Sequence, residues 1–307
     1  MRIFNILRRG ITNPLWFISG VIMRCPQLIK DDKQYLKWFY YHTMLKWPDL
    51  DNPKTYNEKL NWLKLHNKHA EYTKMVDKVA VKEFVASIIG EEYVVPTYGV
   101  WNDVSEVDIN SLPQQFVLKS NHDSGGIVVC KDKSKLNFSK ARKKFNKQLS
   151  TNYYWATREY PYVDVVPKIF AEKFLVDETG CGLKDYKFFC FGGKAKLLFV
   201  ATDRDKGPHH TKFDFFDLNW NHLSIRNGHE NNPNPITKPK NFEKMIEIAD
   251  KLSSAIDSPQ VRIDLYNCDG QIYFGEITFF HWGGVVPFEP EEWDYKLGDM
   301  IHLPEIC

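Results

Sequence analysis

Apolar residues recur along this chain at two different spacings, and the change falls near Tyr93. Before it the period is helical. Asn52-Pro53-Lys54-Thr55 leads into a stripe made by Leu60, Trp62 and Leu63, and Thr55 with Glu58 three residues on is a capping-box pattern. A second helix is expected over 71–89, stopped by Gly90. After Tyr93, short alternating runs predict strands over 94–101, 115–120, 127–130, 168–175, 186–191, 196–202 and 212–218. Between them Ser139 is expected to cap a basic helix over 140–149. Phe242, Met245, Ile246, Ala249, Leu252 and Ile256 mark a longer amphipathic helix over 242–256. Two further strands, 261–266 and 272–280, flank the turn Asn267-Cys268-Asp269-Gly270, and the Asn/Pro-rich stretch 231–240 reads as a loop. The sum is α+β with mostly antiparallel sheets, not a doubly wound parallel pattern.

At 307 residues the chain is long enough for two or three lobes around one site. Ordinary hydrophobic (43%) and charged (26%) fractions exclude wholesale disorder. A net charge of +2 gives no global attraction for nucleic acid, which is not an expected partner. Six cysteines (Cys25, Cys130, Cys181, Cys190, Cys268, Cys307) form no C-x-x-C pair, so buried free thiols in a reducing cytoplasm are expected. The N-terminus changes this picture. Residues 1–30 carry Arg2, Arg8, Arg9, Arg24 and Lys30, with no acid before Asp31, around a ten-residue apolar run from Pro14 to Met23. Ten residues cannot cross a bilayer. They suit a peripheral contact at a membrane interface, a helix packed on the body, or a frayed arm.

Three stretches carry candidate chemistry. In residues 116–126 (FVLKSNHDSGG) an apolar strand delivers Lys119 to a small polar loop holding Ser124, Gly125 and Gly126. Such loops let backbone N–H groups approach phosphate oxygens, and the Walker A spacing is absent. In the C-terminal hairpin, Arg262 and Asp264 alternate against Ile263 and Leu265, as Glu276 and Thr278 do against Ile277 and Phe279. A hairpin loop with an odd residue count, such as three residues ending at Gly270, would bring all four polar positions to one face, where two carboxylates suit Mg²⁺. Ile272 and Phe274 would then share that face. An EF-hand reading of the same region fails, because Leu265 would hold its first ligand position. The third stretch, 169–175, sets Glu172 and Lys173 inside an apolar strand, a polar edge for a nucleobase. Zinc-protease, hydrolase and dinucleotide motifs are missing.

Taken together and in order, Asp77-Lys78, Lys119 with its Ser/Gly loop, Glu172-Lys173-Phe174-Leu175, Arg262-x-Asp264 and Glu276-x-Thr278 resemble the ATP-grasp superfamily. With 185–193 (DYKFFCFGG), the pattern is similar to the TupA-like branch, associated with teichuronopeptide and capsular polysaccharide synthesis. The resemblance implies an ATP-grasp fold, two α+β lobes clasping a nucleotide behind an N-terminal helical lobe. The divisions expected are 1–34, 35–112, 113–176 for the lid lobe and 177–307 for the lobe with the metal-binding hairpin. It implies that Lys78 and Lys119 hold the phosphates and that Ser124, Gly125 and Gly126 close over them. Glu172 would accept from the adenine amino group, with the Lys173 and Leu175 backbones at the ring edge and Asp177 or Glu178 at the ribose. Asp264, Glu276 and Thr278 would hold Mg²⁺, Arg262 would stabilise the transferring phosphoryl group, and Lys187 and Arg204 would add cationic contacts. Thr278 departs from the family pattern, which commonly has Asn there. The implied activity joins a carboxylate-bearing glycan or sugar to an amino acid or similar amine, with ATP and Mg²⁺ as cofactors. A nucleotide-sugar transferase is the competing enzyme class, against which no D-x-D follows a parallel strand, and a non-catalytic binding module is the third reading.

Overall fold

The computed structural model describes residues 13–123, 125–177, 183–207 and 209–305. Its N-terminal helices are α1 (Pro14–Arg24), α2 (Asp32–Met44) and α3 (Tyr56–His66). Helix α3 begins at the predicted capping box: Thr55 accepts from Glu58 N–H, and the Glu58 carboxylate reaches back to the Thr55 N–H. The single helix expected over 71–89 is two helices, α4 (Tyr72–Val76) and α5 (Val81–Ile89). Asp77 makes the break. It is extended, and its Oδ1 captures the N–H groups of Val79 (2.8 Å) and Ala80 (3.2 Å), which restarts the helix and turns Lys78 out of it. Gly90 ends α5 at φ 107°, as expected.

Two antiparallel sheets follow. The smaller has the order β1-β4-β2-β3, from β1 (Thr97–Trp101), β2 (Phe116–Ser120), β3 (Ile127–Cys130) and β4 (Ile169–Lys173). Its first strand thus lies ahead of residue 113. Helix α6 (Phe138–Leu149) covers it, with Ala141 and Phe145 packed on Phe116, Leu118, Ile169 and Ala171. The cap of α6 is Asn137, which accepts from Lys140 N–H at 2.9 Å, two residues earlier than the expected Ser139. The short helix α7 (Tyr154–Thr157) precedes β4.

The larger sheet has the order β11-β10-β5-β6-β7-β8. Its strands are β5 (Asp185–Phe191), β6 (Lys194–Thr202), β7 (Lys212–Asp217), β8 (His222–Leu223), β10 (Gln260–Cys268) and β11 (Gln271–Thr278), while β9 (Arg226–Asn227) pairs outside it with β12 (Phe288–Glu289). Helix α8 (Phe242–Ser254) buries Phe242, Met245, Ile248, Ala249 and Leu252 against it. The two sheets have separate hydrophobic cores, so the chain presents a cleft between two bodies.

The β10–β11 hairpin differs from the expected register in an instructive way. Its turn has two residues, Asp269 and Gly270, and Cys268 pairs with Gln271. That register alone would split the polar set between faces. A bulge at Gly275 restores it: Leu265 pairs with Phe274, whereas Asp264 pairs with Glu276 and Arg262 with Thr278. The same bulge turns Ile272 and Phe274 into the core, away from the polar face. Of the described cysteines, Cys130 and Cys190 are buried free thiols, while Cys25 is exposed and Cys268 half-buried. Cys181 and Cys307 lie outside the described residues.

Candidate active site

The smaller sheet contributes a cationic, glycine-bearing loop between β2 and β3. Its stem is locked: Ser120 N–H donates to Gly126 O (2.8 Å) and Asn121 N–H to Lys168 O (3.1 Å). The Asn121 amide bridges Val166 O (3.0 Å) and Lys168 N–H (2.7 Å). Gly125 sits at φ 89°, a left-handed conformation that L side chains rarely adopt. Gly126 has no room for a Cβ, which would run into Ser120 Oγ and the Asp123 carboxylate. Lys78, freed by the helix break, donates to Asp123 O at 2.6 Å and so ties the helical lobe to this loop. Ser124 and Glu178 lie outside the described residues.

Glu172 on β4 is held by two lysines at the edge of the cleft. It is 5% exposed, and its two carboxylate oxygens are engaged by Lys119 and, at 3.1 Å, by Lys82 from α5. In this arrangement its charge positions two lysines at the cleft, and Glu172 itself forms part of the wall of the neighbouring slot. Beside it runs an apolar slot of about 300 Å³ lined by Val117, Ile127, Val129, Phe174, Leu175 and Tyr266, with Lys173 and Asp177 at its margin.

The larger sheet contributes the carboxylates. Arg262 on β10, 7% exposed, donates from Nε to Asp264 Oδ1 (2.7 Å) and from Nη2 to Asp264 Oδ2 (2.8 Å) and Thr278 Oγ1 (3.0 Å). Its Nη1 lies 2.6 Å from His281 Nδ1. Arginine can only donate, so Nδ1 accepts, and His281 Nε2–H donates to Asn227 Oδ1 at 2.8 Å. Burial, then the charges of Arg262 and Lys187, hold the His281 imidazole well below its ordinary pKa. Lys187 on β5 is paired with Asp264 and lies 3.4 Å from Asp185 and 3.9 Å from Glu276. Arg204 pairs with Asp185, whose second oxygen, Oδ1, is buried without a hydrogen-bond partner. Glu276 stays more open, its side chain 39% exposed. Burial would raise its carboxyl, but Lys187, Lys78 and Arg262 more than offset that and hold it well below the usual carboxylate range.

These two sets of residues face each other across one cavity of about 130 Å³. Lys78, Lys119, Gly125 and Gly126 line one side, and Asp185, Lys187, Arg204, Asp264, Gly275 and Glu276 the other. A family model, TupA-like ATPgrasp, matches residues 58–302. The chain belongs to the TupA-like ATPgrasp family. No curated protein matches it. Among solved structures it is similar to the D-alanine–D-alanine ligase of Helicobacter pylori (14% identity, TM-score 0.40, 75% of this chain and 61% of that one). It is similar also to the Bacillus anthracis D-alanine–D-alanine ligase complexed with ATP (17%, 0.44, 74% and 63%). A third likeness is to the L-amino acid ligase of Bacillus licheniformis (13%, 0.42, 87% and 56%). The chain spans less than two thirds of the length of each of these three, and likenesses this distant carry no residue's role across.

The TupA-like ATP-grasp site is suited to a nucleotide and a divalent cation. Among the described residues no group of three or more His, Cys, Asp or Glu is gathered to hold a metal alone. Mg²⁺ would therefore draw on phosphate oxygens beside one or two carboxylates, its usual habit, and the unpartnered Asp185 Oδ1 and the open Glu276 are such donors. Asp264 has both oxygens on cations, and the Thr278 hydroxyl accepts from Arg262. The hairpin set, Lys78, Lys119, both described glycines, Lys187 and Arg204 line two adjoining cavities. Lys82, Asp185 and His281 were not expected. Asp185 had a signal: with Lys187 it is an i, i+2 polar pair in an otherwise apolar strand, and Lys187 pairs directly with Asp264. Lys82 had none, because only the fold brings α5 to Glu172.

Proposed function

We propose that the chain is an ATP-dependent carboxylate–amine ligase that joins an amino acid or similar amine to a uronic acid of a surface polysaccharide. The observation that supports it is the single cleft in which lysines, a glycine loop and hard carboxylates face one another beside an apolar slot. Adenine would occupy the slot, with the Lys173 and Leu175 backbones at its edge and Asp177 near the ribose. Lys78, Lys119 and the Gly125–Gly126 backbone would cradle the phosphates, closed off from water by the loop. ATP, bound with Mg²⁺, supplies the phosphoryl group that turns a poor electrophile, the carboxylate, into an acyl phosphate. Arg262, fixed by five acceptor atoms on Asp264, Glu276, Thr278 and His281, is pre-organised to stabilise charge on the transferring group and on the tetrahedral intermediate that follows. The sugar class rests on the family association. It is supported by a further cavity of about 420 Å³ whose walls include Phe39, Phe213, Trp282 and Tyr162.

The test is Mg·ATP-analogue affinity, then ADP release with uronic-acid glycans and amino acids. Lys119→Ala and Glu276→Ala should each weaken binding tenfold or more, a loss of about 1.4 kcal/mol. Unchanged affinity in both variants, or nucleotide-sugar binding without ATP binding, would sink the reading.

We further propose that the protein works in the cytoplasm, peripherally bound to an anionic bilayer through α1. Leu15, Phe17, Ile18 and Val21 are each 42–47% exposed, and Leu28 is 69% exposed. The helix is not a loose arm. Ser19 Oγ lies 2.9 Å from His42 Nδ1, Trp16 stacks on His42, and Arg158 holds Pro26 O (2.9 Å) and Ile29 O (2.8 Å). A fixed apolar face inside an acid-free, cationic segment matches an anionic membrane surface. No helix among the described residues is long and apolar enough to cross a membrane. Phosphatidylglycerol-rich vesicles should carry the protein on flotation, and the double variant Phe17→Glu, Ile18→Glu should abolish this. Equal flotation of both would show that the face serves something else.

A further inference from the structure

The cavity lined by Trp282 shares Asp123, Lys187, Arg204 and Glu276 with the phosphate cleft and extends from there to Thr157, Glu159, Tyr162 and Phe280. Its far end is built around a carboxylate that the ligase chemistry above leaves unused. Glu159 is 6% exposed. It follows Arg158, which is held in a left-handed conformation (φ 55°) by bonds to Trp155 O, Pro26 O and Ile29 O, so its backbone has little freedom. Among the described residues, no cation lies within ion-pair distance of its carboxylate. Lys64, the buried lysine of α3, does not fill that role directly. Its three N–H groups go to Thr157 O (2.9 Å), Gly283 O (2.8 Å) and Asn61 Oδ1 (3.3 Å), leaving it a through-space counter-charge. The buried Thr157 hydroxyl, two residues earlier on the same cavity wall, is the neutral donor against this carboxylate and has no other partner.

A buried carboxylate held only by one hydroxyl and a through-space charge is costly unless a ligand completes it. The surroundings decide which ligand. Phe39, Tyr162, Phe280 and Trp282 line the same cavity; the Lys64 ammonium already lies over Phe39 (5.5 Å) and Phe280 (5.7 Å), which leaves the Tyr162 and Trp282 rings for a ligand. One carboxylate with the Thr157 and Tyr162 hydroxyls among aromatic rings is not an oxygen cage for a metal, and it repels anions. It suits an organic ammonium, which donates to the carboxylate while ring faces stabilise its charge. The cavity is thus cationic where Arg262, Lys187 and Arg204 meet it and anionic at Glu159.

We propose that Glu159 binds the ammonium of the amine co-substrate and accepts its proton as the amide forms, an assignment that rests on the ligase reading above. The balance is simple. Glu159 takes one proton from R–NH₃⁺, and the neutral amine attacks the acyl carbon. The C–N bond forms as the bond from carbon to the phosphate oxygen breaks, and the departing phosphate leaves with the second N–H proton. Burial raises the Glu159 carboxyl above the ordinary carboxylate range, with the Lys64 ammonium offsetting this only in part, which suits a group that must pick up a proton and release it again.

The experiment uses the full chain with Mg²⁺ and a non-hydrolysable ATP analogue. Methylammonium and glycinamide are titrated as amine probes and acetate as the anionic control, followed by ligand-observed NMR. The wild type should bind both amines, and Glu159→Gln should bind them at least tenfold more weakly with analogue affinity unchanged. Glu159→Asp, which withdraws the charge by one methylene, should fall between them and serves if the glutamine variant does not fold. If Glu159 is only a counter-charge for Lys64, Glu159→Gln will shift thermal stability and leave the amine titration where it was, which overturns the proposal. So would a wild type that binds the analogue and no amine. Amine binding lost in Glu159→Gln but without any analogue binding would uphold the ammonium site and overturn the ligase reading instead.

Discussion

His281 shows how a single side chain records the electrostatics of the cleft. Its Nδ1 must accept from Arg262 and its Nε2–H donates to Asn227, so a second proton would set an N–H against a guanidinium. The folded protein therefore keeps this imidazole neutral where an unfolded chain would protonate it, below about 6.5. With the folded pKa depressed, the unfolded state binds more protons as pH falls, and stability present above 6.5 is lost below it. One such group contributes at most about 1.4 kcal/mol per pH unit. Urea unfolding at pH 7.5, 6.5 and 5.5 should show this loss in the wild type, and His281→Gln should remove that share of the slope. Identical slopes would mean that His281 titrates normally. Arg158 gives a second prediction at this scale. Its side chain is fully buried, stacks over Tyr35 at 4.1 Å and pairs with Asp32 at 3.0 Å. Arg158→Met should cost about 3 kcal/mol, since it orphans buried carbonyls and a carboxylate together. A midpoint shift in the same urea series measures it.

At the scale of the element, the β10–β11 hairpin carries the site, and Gly275 sets its register. Alternation alone made Arg262, Asp264, Glu276 and Thr278 legible as one polar face, and that inference holds. The route to it did not follow from alternation, because a two-residue turn plus a bulge gives the same facing as an odd loop. Only the bulge puts Ile272 and Phe274 in the core. A glycine inside a strand is the usual sign of a bulge, so the register was readable in principle from Gly275 itself. A Cβ at Gly275 would stand 3.0 Å from Asp264 O and 3.3 Å from the Tyr266 ring. Gly275→Ala should therefore shift the Asp264–Glu276 pair and weaken Mg·ATP-analogue binding tenfold or more, while costing about 1–3 kcal/mol in stability. Calorimetric titration beside a thermal melt separates the two effects. Normal nucleotide affinity in a folded Gly275→Ala protein would show that the bulge sets no site geometry. The broken helix makes the converse point. The run over 71–89 has helical periodicity throughout, but Asp77 offers its own carboxylate to two N–H groups, and a local side-chain bond of that kind outweighs period.

Across the whole molecule, what a linear pattern could not convey is which segments meet. Lys82 reaches Glu172 from another lobe, Lys78 reaches the loop carbonyl of Asp123, and Arg158 ties α1 to the wall of the Glu159 cavity. The first two of these contacts cross between bodies whose cores are separate. A ligand bridging the cleft adds contacts to both bodies at once, and it stabilises the fold by mass action. At a hundredfold excess over its dissociation constant a ligand contributes about 2.7 kcal/mol. For a chain of this size a kilocalorie moves the midpoint by about 2–4 °C, so Mg·ATP analogue should raise the melting temperature by about 5–10 °C. Analogue with chelator should do much less, because Asp185, Asp264 and Glu276 would then face phosphate without a cation between them. Lys119→Ala should lose most of the shift, read against its own unliganded midpoint, which falls because the buried Glu172 loses one of its two lysines. A shift that survives both chelation and Lys119→Ala would place the nucleotide somewhere other than between the sheets, and the cleft would need another ligand.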